Sequence, residues 1–343
     1  MKAGVLYQAH DLRLEERPRP VPAADEVLVK IKAVGICGSD MHLYEEGRIG
    51  NALLERPLVL GHEAAGEVVE VGAAVTGVMV GDRVALEPGI PCRRCAYCKR
   101  GEYHLCPYVR FHGVPGTDGY FAEYATIPSD FAYRLPDGLD YVQGAMLEPL
   151  AVGLQAATEG EVQPGQSVAI LGSGPIGLAS LQASLVRGAT KTIVVDVVEK
   201  RLQMAKELGA THVVNAAQTP AVAEIVRLTE GLGADVVLET AGAVATIQQS
   251  VHAGRRGGTV VLVGIAGEPN VPLDVVRIVR SRMRVHGCFR YVNQYPVAVA
   301  LASAGKVDVR SSVSHSFGLD ELPTAIEFAV KRKDVAIKCV VSL

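Results

Sequence analysis

Four cysteines fall close together as Cys92-x-x-Cys95-x-x-Cys98-x7-Cys106. Thiolates two residues apart can turn toward a single cation, and four of them complete a tetrahedral zinc shell with no position left for substrate. The spacing therefore predicts a structural zinc in a lobe over residues 88–108. Arg93, Arg94, Lys99 and Arg100 lie among the thiolates and offset their surplus negative charge. An iron–sulfur cluster, or cysteine pairs acting as a redox switch, would use the same residue type and is the competing reading.

A second set of donors is scattered. Cys37 and Ser39 sit in Gly35-Ile-Cys-Gly-Ser-Asp40, His62 and Glu63 in Gly61-His-Glu63, and Glu148 in Leu147-Glu-Pro149. Singly, such a cysteine is most often a small core residue and such a histidine a structural one. Jointly, one thiolate, one imidazole and one or two carboxylates make a zinc shell with an open position. A zinc ion held this way lowers the pKa of an alcohol at that position. Ser39 is then expected to bond the reacting hydroxyl, with water held by Glu63 or Glu148 carrying the proton outward.

A third motif supplies an acceptor for the hydride such an alcohol would lose. Gly172-Ser-Gly174-Pro-Ile-Gly177 fits G-x-G-x-x-G, follows the apolar run Val168–Leu171 and opens a helical stretch through Leu185. In that context Gly172 permits the tight turn, Gly174 lets backbone approach a pyrophosphate, and Gly177 lets helix and strand pack closely. Asp196 ends the next strand about 20 residues on, where a carboxylate accepts hydrogen bonds from a ribose and repels a 2′-phosphate. NAD is thus favoured over NADP; Lys200 and Arg201 weigh against strictness, and Asp196 could instead cap the following helix. The cofactor contacts expected are Gly172, Gly174, Pro175, Ile176, Gly177, Asp196, Arg201, Val263 and Ile265.

These motifs need elements to position them. Residues 1–150 read as short alternating strands such as Glu26–Lys32 and Gly66–Gly72, separated by Gly81-Asp82, Pro88-Gly89, Asp118-Gly119 and Asp137-Gly138 turns. From residue 151, buried strands alternate with helices. The strands drawn are Ser167–Leu171, Thr192–Asp196, His212–Asn215, Asp235–Glu239, Thr259–Val263 and Met283–Cys288. This pattern predicts an α/β doubly wound, six-stranded parallel sheet. The tail from about 290 carries an amphipathic helix around Leu322–Val330 and a strand Ala336–Val341, and is expected to pack back on the N-terminal region. The division is thus 1–150 with 289–343, and 151–288 between them.

At 343 residues the chain suits about two domains. Lys plus Arg total 34 against 37 Asp plus Glu, so nothing in the charge points to nucleic acid or an anionic membrane. Seven cysteines are too few, and odd in number, for a disulfide scaffold. The first residues do not read as a secretory signal. The longest uncharged stretch, 162–186, is broken by Pro164, Pro175 and several glycines, so it does not read as a membrane span. The expectation is a soluble cytoplasmic protein.

Taken together, Gly35–Asp40, Gly61–Glu63, Gly81-Asp-Arg-Val84, the four-cysteine lobe, Leu147–Pro149 and Gly172–Gly177 resemble the zinc-dependent medium-chain dehydrogenases over nearly the whole chain. Gly47-Arg-Ile-Gly50 and Cys288-Phe-Arg-Tyr291 with Asn293 resemble their sorbitol, or polyol, dehydrogenase branch. The resemblance implies a GroES-like β-rich catalytic domain with a Rossmann domain inserted, and two zinc ions per chain. It implies Cys37, His62 and Glu63 as catalytic-zinc ligands with water completing the shell and Glu148 beside the metal. It also implies a sugar-alcohol pocket lined by Ser39, Phe111, Glu148, Arg290 and Tyr291, and a homotetramer or homodimer. Other zinc alcohol dehydrogenases place a second cysteine among the ligands, but no cysteine occurs between Cys106 and Cys288 here. Arg290 also has a plainer reading, as a surface arginine near a domain joint. The expected activity is NAD-dependent oxidation of a polyol's secondary hydroxyl to a ketose. The alternatives are the same chemistry on L-threonine, butanediol or an aldose, then a noncatalytic cofactor-binding protein or a zinc–thiolate redox sensor.

Overall fold

The computed structural model describes residues 1–343. Two compact units emerge: Met1–Glu148 with Tyr295–Ala304 and Val313–Leu343, and Pro149–Gln294 with Gly305–Ser312.

In the first unit a mixed sheet carries the scattered donors. The long strand Glu26–Gly35 pairs antiparallel with Glu63–Val71 on one side and with the C-terminal strand Lys338–Ser342 on the other. The register sets Gly35 opposite both Glu63 and Val340, so residues from three distant parts of the chain meet at one end of the sheet. The alternation read in the sequence is visible here: Val27, Val29 and Ile31 point into a core shared with Leu86, Ile127, Phe121 and Val341. The C-terminal helix Leu322–Lys331 buries Leu322, Ala325, Ile326 and Ala329 against that core.

The second unit is a six-stranded parallel sheet. Its order is His212–Asn215, Lys191–Asp196, Ser167–Leu171, Ala234–Glu239, Gly254–Leu262, Arg284–Gly287. In chain order this is 3-2-1-4-5-6, the doubly wound arrangement, with its switch point between Leu171 and Glu239. The central strands Ser167–Leu171, Lys191–Asp196 and Ala234–Glu239 are short runs rich in Val, Ile and Leu, as strands of a sheet covered on both faces are.

The units divide the tail differently from the expected boundary. Residues 289–294 and 305–312 cluster with the second unit. Gln155 accepts hydrogen bonds from Val292 N and Gln294 Nε2, and Gln182 exchanges hydrogen bonds with the Asp308 backbone, which ties both segments there. No helix is long and apolar enough to cross a membrane.

Candidate metal and cofactor sites

Cys92, Cys95, Cys98 and Cys106 bring their sulfurs within 4.8 Å of one another, and all are free thiols. Cys95 Sγ stands 3.4 Å from Cys98 Sγ, and the Cys92 amide donates to Cys106 Sγ at 3.3 Å. The Arg94 backbone N–H and, after it, that of Cys95 hold the Cys92 thiol down, to about 6, whereas desolvation pushes Cys98 the other way. Four converging sulfurs with one already inclined to ionise suit a soft tetrahedral cation.

The second group is built around Asp40. Cys37 precedes the helix Gly38–Glu46, and the Cys37 amide donates to Asp40 Oδ2 at 2.8 Å. The Gly61 amide donates to Asp40 Oδ1 at 3.0 Å. One fully buried carboxylate thus clamps the segment bearing Cys37 to the segment bearing His62 and Glu63. Ligand atoms of Cys37, His62 and Glu63 lie within 4.8 Å of one another. Gly35 is glycine for a specific reason: a Cβ there would come 2.0 Å from Glu63 Oε2. Burial by itself would depress the His62 imidazole, but the Cys37 thiolate, then Asp40 and Glu148, outweigh it and hold the imidazolium up to about 10. His62 Nδ1 is buried without a hydrogen-bond partner, 4.0 Å from Asp40 Oδ1. A buried pocket so rich in anions fits a cation, and its thiolate, imidazole and carboxylate are the donor types zinc takes.

The other expected residues fall at different places. Glu148 is buried in the first turn of the helix Leu147–Glu159, near enough to act on His62 electrostatically. The group of mutually close ligand atoms does not include it. Phe111 packs edge-on against the His62 ring at 5.5 Å. Ser39 lies half-buried in the first turn of the helix after Cys37. In the second unit, Arg290 has φ +57° and its guanidinium lies over the Phe289 ring, while Tyr291 is buried.

Sequence reasoning gave no role to Lys338. Its ammonium donates to Glu63 Oε1 at 2.6 Å, to Glu63 Oε2 at 2.7 Å and to the Ile36 carbonyl at 3.0 Å. The available signal was a lone lysine inside the apolar run Ala336-Ile-Lys-Cys-Val-Val341, since a buried lysine needs a partner.

The glycine loop of the second unit behaves as its spacing implies. Gly172 has φ +101°. A Cβ on Gly177 would sit 1.9 Å from the Gly172 carbonyl oxygen, whereas one on Gly174 would meet nothing within 4 Å. Gly174 therefore faces open space, beside the start of the helix Pro175–Val186, whose first N–H groups have no partner within the helix. Asp196 takes the place considered for it at the start of the next helix, and it also braces the glycine loop. Oδ1 accepts from the Val197 and Val198 amides at the start of the next helix, and Oδ2 accepts from Ser173 N and Oγ at 2.7 and 3.0 Å. Arg201 lies in that helix, Glu199–Glu207, while the Val263 amide donates to the Glu239 carbonyl and Ile265 is exposed.

Residues 23–137 match the alcohol dehydrogenase GroES-like domain, and residues 175–304 match the zinc-binding dehydrogenase domain. Over 341 residues the chain is 42% identical to sorbitol dehydrogenase of Bacillus subtilis, covering 99% of this chain and 97% of that one. The chain belongs to the zinc-binding alcohol dehydrogenase family. Among solved structures, an Escherichia coli oxidoreductase of unknown specificity involved in membrane biogenesis superposes with a TM-score of 0.96 at 41% identity, covering 99% of this chain and 98% of that one. A zinc-binding dehydrogenase from Sinorhizobium meliloti 1021, solved with NADP, gives a TM-score of 0.92 at 35% identity, covering 100% and 99%.

Proposed function

We propose that this protein is a zinc-dependent polyol dehydrogenase that transfers a hydride from a secondary alcohol to NAD⁺ and yields a ketose. The observation that carries the reading is the convergence of half-buried Cys37 with buried His62 and Glu63, in a chain that is 42% identical to a sorbitol dehydrogenase along nearly its full length. Cys37, His62 and Glu63 would hold one zinc, and Cys92, Cys95, Cys98 and Cys106 a second, structural one. When bound, the first zinc supplies a Lewis acid that eases loss of an alcohol proton, and the nicotinamide accepts the hydride.

The chain's own residues do the rest. Ser39 bonds the reacting hydroxyl. Glu148, buried beside the donor group, directs the proton toward water. Phe111, packed on His62, walls the site against solvent, and Arg290 and Tyr291 hold the remaining hydroxyls. Several matched donors and acceptors suit a polyol because an analogue that lacks a hydroxyl leaves buried polar groups unpaired. Gly172, Gly174 and Gly177 seat the pyrophosphate, and Asp196 bonds the ribose and disfavours a 2′-phosphate. The reading includes a cytoplasmic homotetramer or homodimer, which light scattering checks.

The test is NAD⁺ reduction against sorbitol, xylitol, galactitol, threonine and butanediol, with zinc quantified on the same sample. Turnover with one or more polyols and two zinc equivalents per chain is expected. Turnover confined to threonine or butanediol would overturn the substrate class, and a higher kcat/KM with NADP⁺ would overturn the cofactor preference. Cys37→Ala should nearly abolish turnover while NAD⁺ still binds; normal turnover would refute the metal site.

A further inference from the structure

Lys338 reaches the donor group from the opposite end of the chain. A lysine ammonium has three N–H donors, and the three bonds made here account for them: two go to Glu63 and one to the carbonyl just before Cys37. Both side chains of the pair are buried, at 2% and 1% exposure. Strand pairing already joins Lys338–Ser342 to Glu26–Gly35, and that strand to Glu63–Val71. The sheet therefore does not need a buried ion pair to hold its strands together. The Glu63 carboxylate fits the space left by the missing Gly35 side chain, beside the Met146 methyl.

We propose that Lys338 is a positioning residue for the metal: it holds the Glu63 carboxylate and the Cys37 segment in their ligating arrangement before the ion arrives. The proposal rests on reading Cys37, His62 and Glu63 as a metal site. The Cys37 thiolate and the Glu63 and Glu148 carboxylates all act on Lys338 electrostatically. Without the ammonium, the Glu63 carboxylate would lose both hydrogen bonds that fix its orientation, and the Ile36 carbonyl next to Cys37 would lose its donor. Those orientations would have to be regained before an ion can bind. A carboxylate offers about four lone-pair sites, so Glu63 can ligate a metal while Lys338 remains bound to it. Outer partners that orient ligands in this way set metal affinity. The ammonium also repels an incoming cation, so the sign of its net effect decides the proposal.

The test compares the full-length wild type with Lys338→Arg, Lys338→Gln and Lys338→Met. Circular dichroism follows the fold, zinc is counted per chain, and second-site affinity is read by competition with a zinc chelator. The Cys37-bearing site is also followed by cobalt(II) absorption. In the wild type two equivalents are expected. Lys338→Met should keep the four-cysteine equivalent and bind the other about 10–100-fold more weakly. Lys338→Arg should recover most of that loss, because a guanidinium can also donate to both carboxylate oxygens. Should Lys338→Met fail to fold, the Arg and Gln variants carry the comparison, with Gln the weaker binder. Second-site affinity that is unchanged or tighter without the charge would overturn the proposal, as would an Arg variant no better than Gln. A wild type that binds only the four-cysteine equivalent would overturn the metal reading itself, before any variant is compared.

Discussion

Glu87 is buried, with 1% of its surface exposed. It accepts hydrogen bonds from Tyr103 Oη at 2.7 Å and Tyr133 Oη at 2.9 Å. Burial raises its carboxyl from 4.5 to about 7, although both tyrosines pull the other way. At about 1.36 kcal/mol per pKa unit, that shift corresponds to about 3 kcal/mol. Its sign follows from proton counting. Between about 4.5 and about 7 the folded protein holds a proton at Glu87 that the unfolded chain has released. Stability from this group is therefore fully present below the lower value and is lost as pH rises through the upper one. Glu87→Gln cannot ionise, and its amide can still pair with both tyrosines. Relative to wild type, the variant should be near neutral at about pH 5 and should gain about 3 kcal/mol by about pH 8. With no tryptophan and 11 tyrosines in the chain, urea unfolding followed by far-UV circular dichroism and tyrosine fluorescence is the assay. Other titrating groups cancel in the difference between the two proteins. A difference that stays flat with pH, or a variant that falls further behind wild type as pH rises, would refute the reasoning.

Cys95→Ser should lose one equivalent of zinc and destabilise the four-cysteine lobe; unchanged metal content would remove the structural-zinc assignment. Gly177→Ala should weaken NAD⁺ binding by at least tenfold while leaving both zinc equivalents in place, because the added carbon would lie 1.9 Å from the Gly172 carbonyl oxygen. Isothermal titration with NAD⁺ reads this directly, and wild-type affinity would show that the loop does not seat the cofactor.

Much of the site was legible because its chemistry is local in sequence. The four cysteines lie within one short loop, and the glycine motif lies between a strand and its helix, so spacing alone places their atoms together. The central strands of the parallel sheet were visible as short Val- and Ile-rich runs, since a strand covered on both faces is largely apolar, whereas the edge strand Arg284–Gly287 carries a single Val. The ends of the inserted unit were harder to read, because side chains such as Gln155 and Gln182 decide where 289–294 and 305–312 pack. Asp196 shows a further limit. A carboxylate at a strand end has the same sequence signature whether it serves a ribose, a helix start or the neighbouring loop, and here it accepts hydrogen bonds from the last two.

From its sequence alone, this protein could be assigned a doubly wound cofactor unit, a four-thiolate lobe and a set of donors suited to an open zinc site. Those assignments depend on residue types at short, regular separations. Tertiary structure decided which scattered donors share a pocket, because Cys37, Glu63 and Lys338 meet only through the register of three strands distant in the chain. It also decided that Asp40 clamps two of those segments and that Lys338 occupies both oxygens of Glu63. The physical reason is that burial gives an isolated charge its partner. A lone lysine in an apolar strand signals that some carboxylate must meet it, and only the folded chain determines which one.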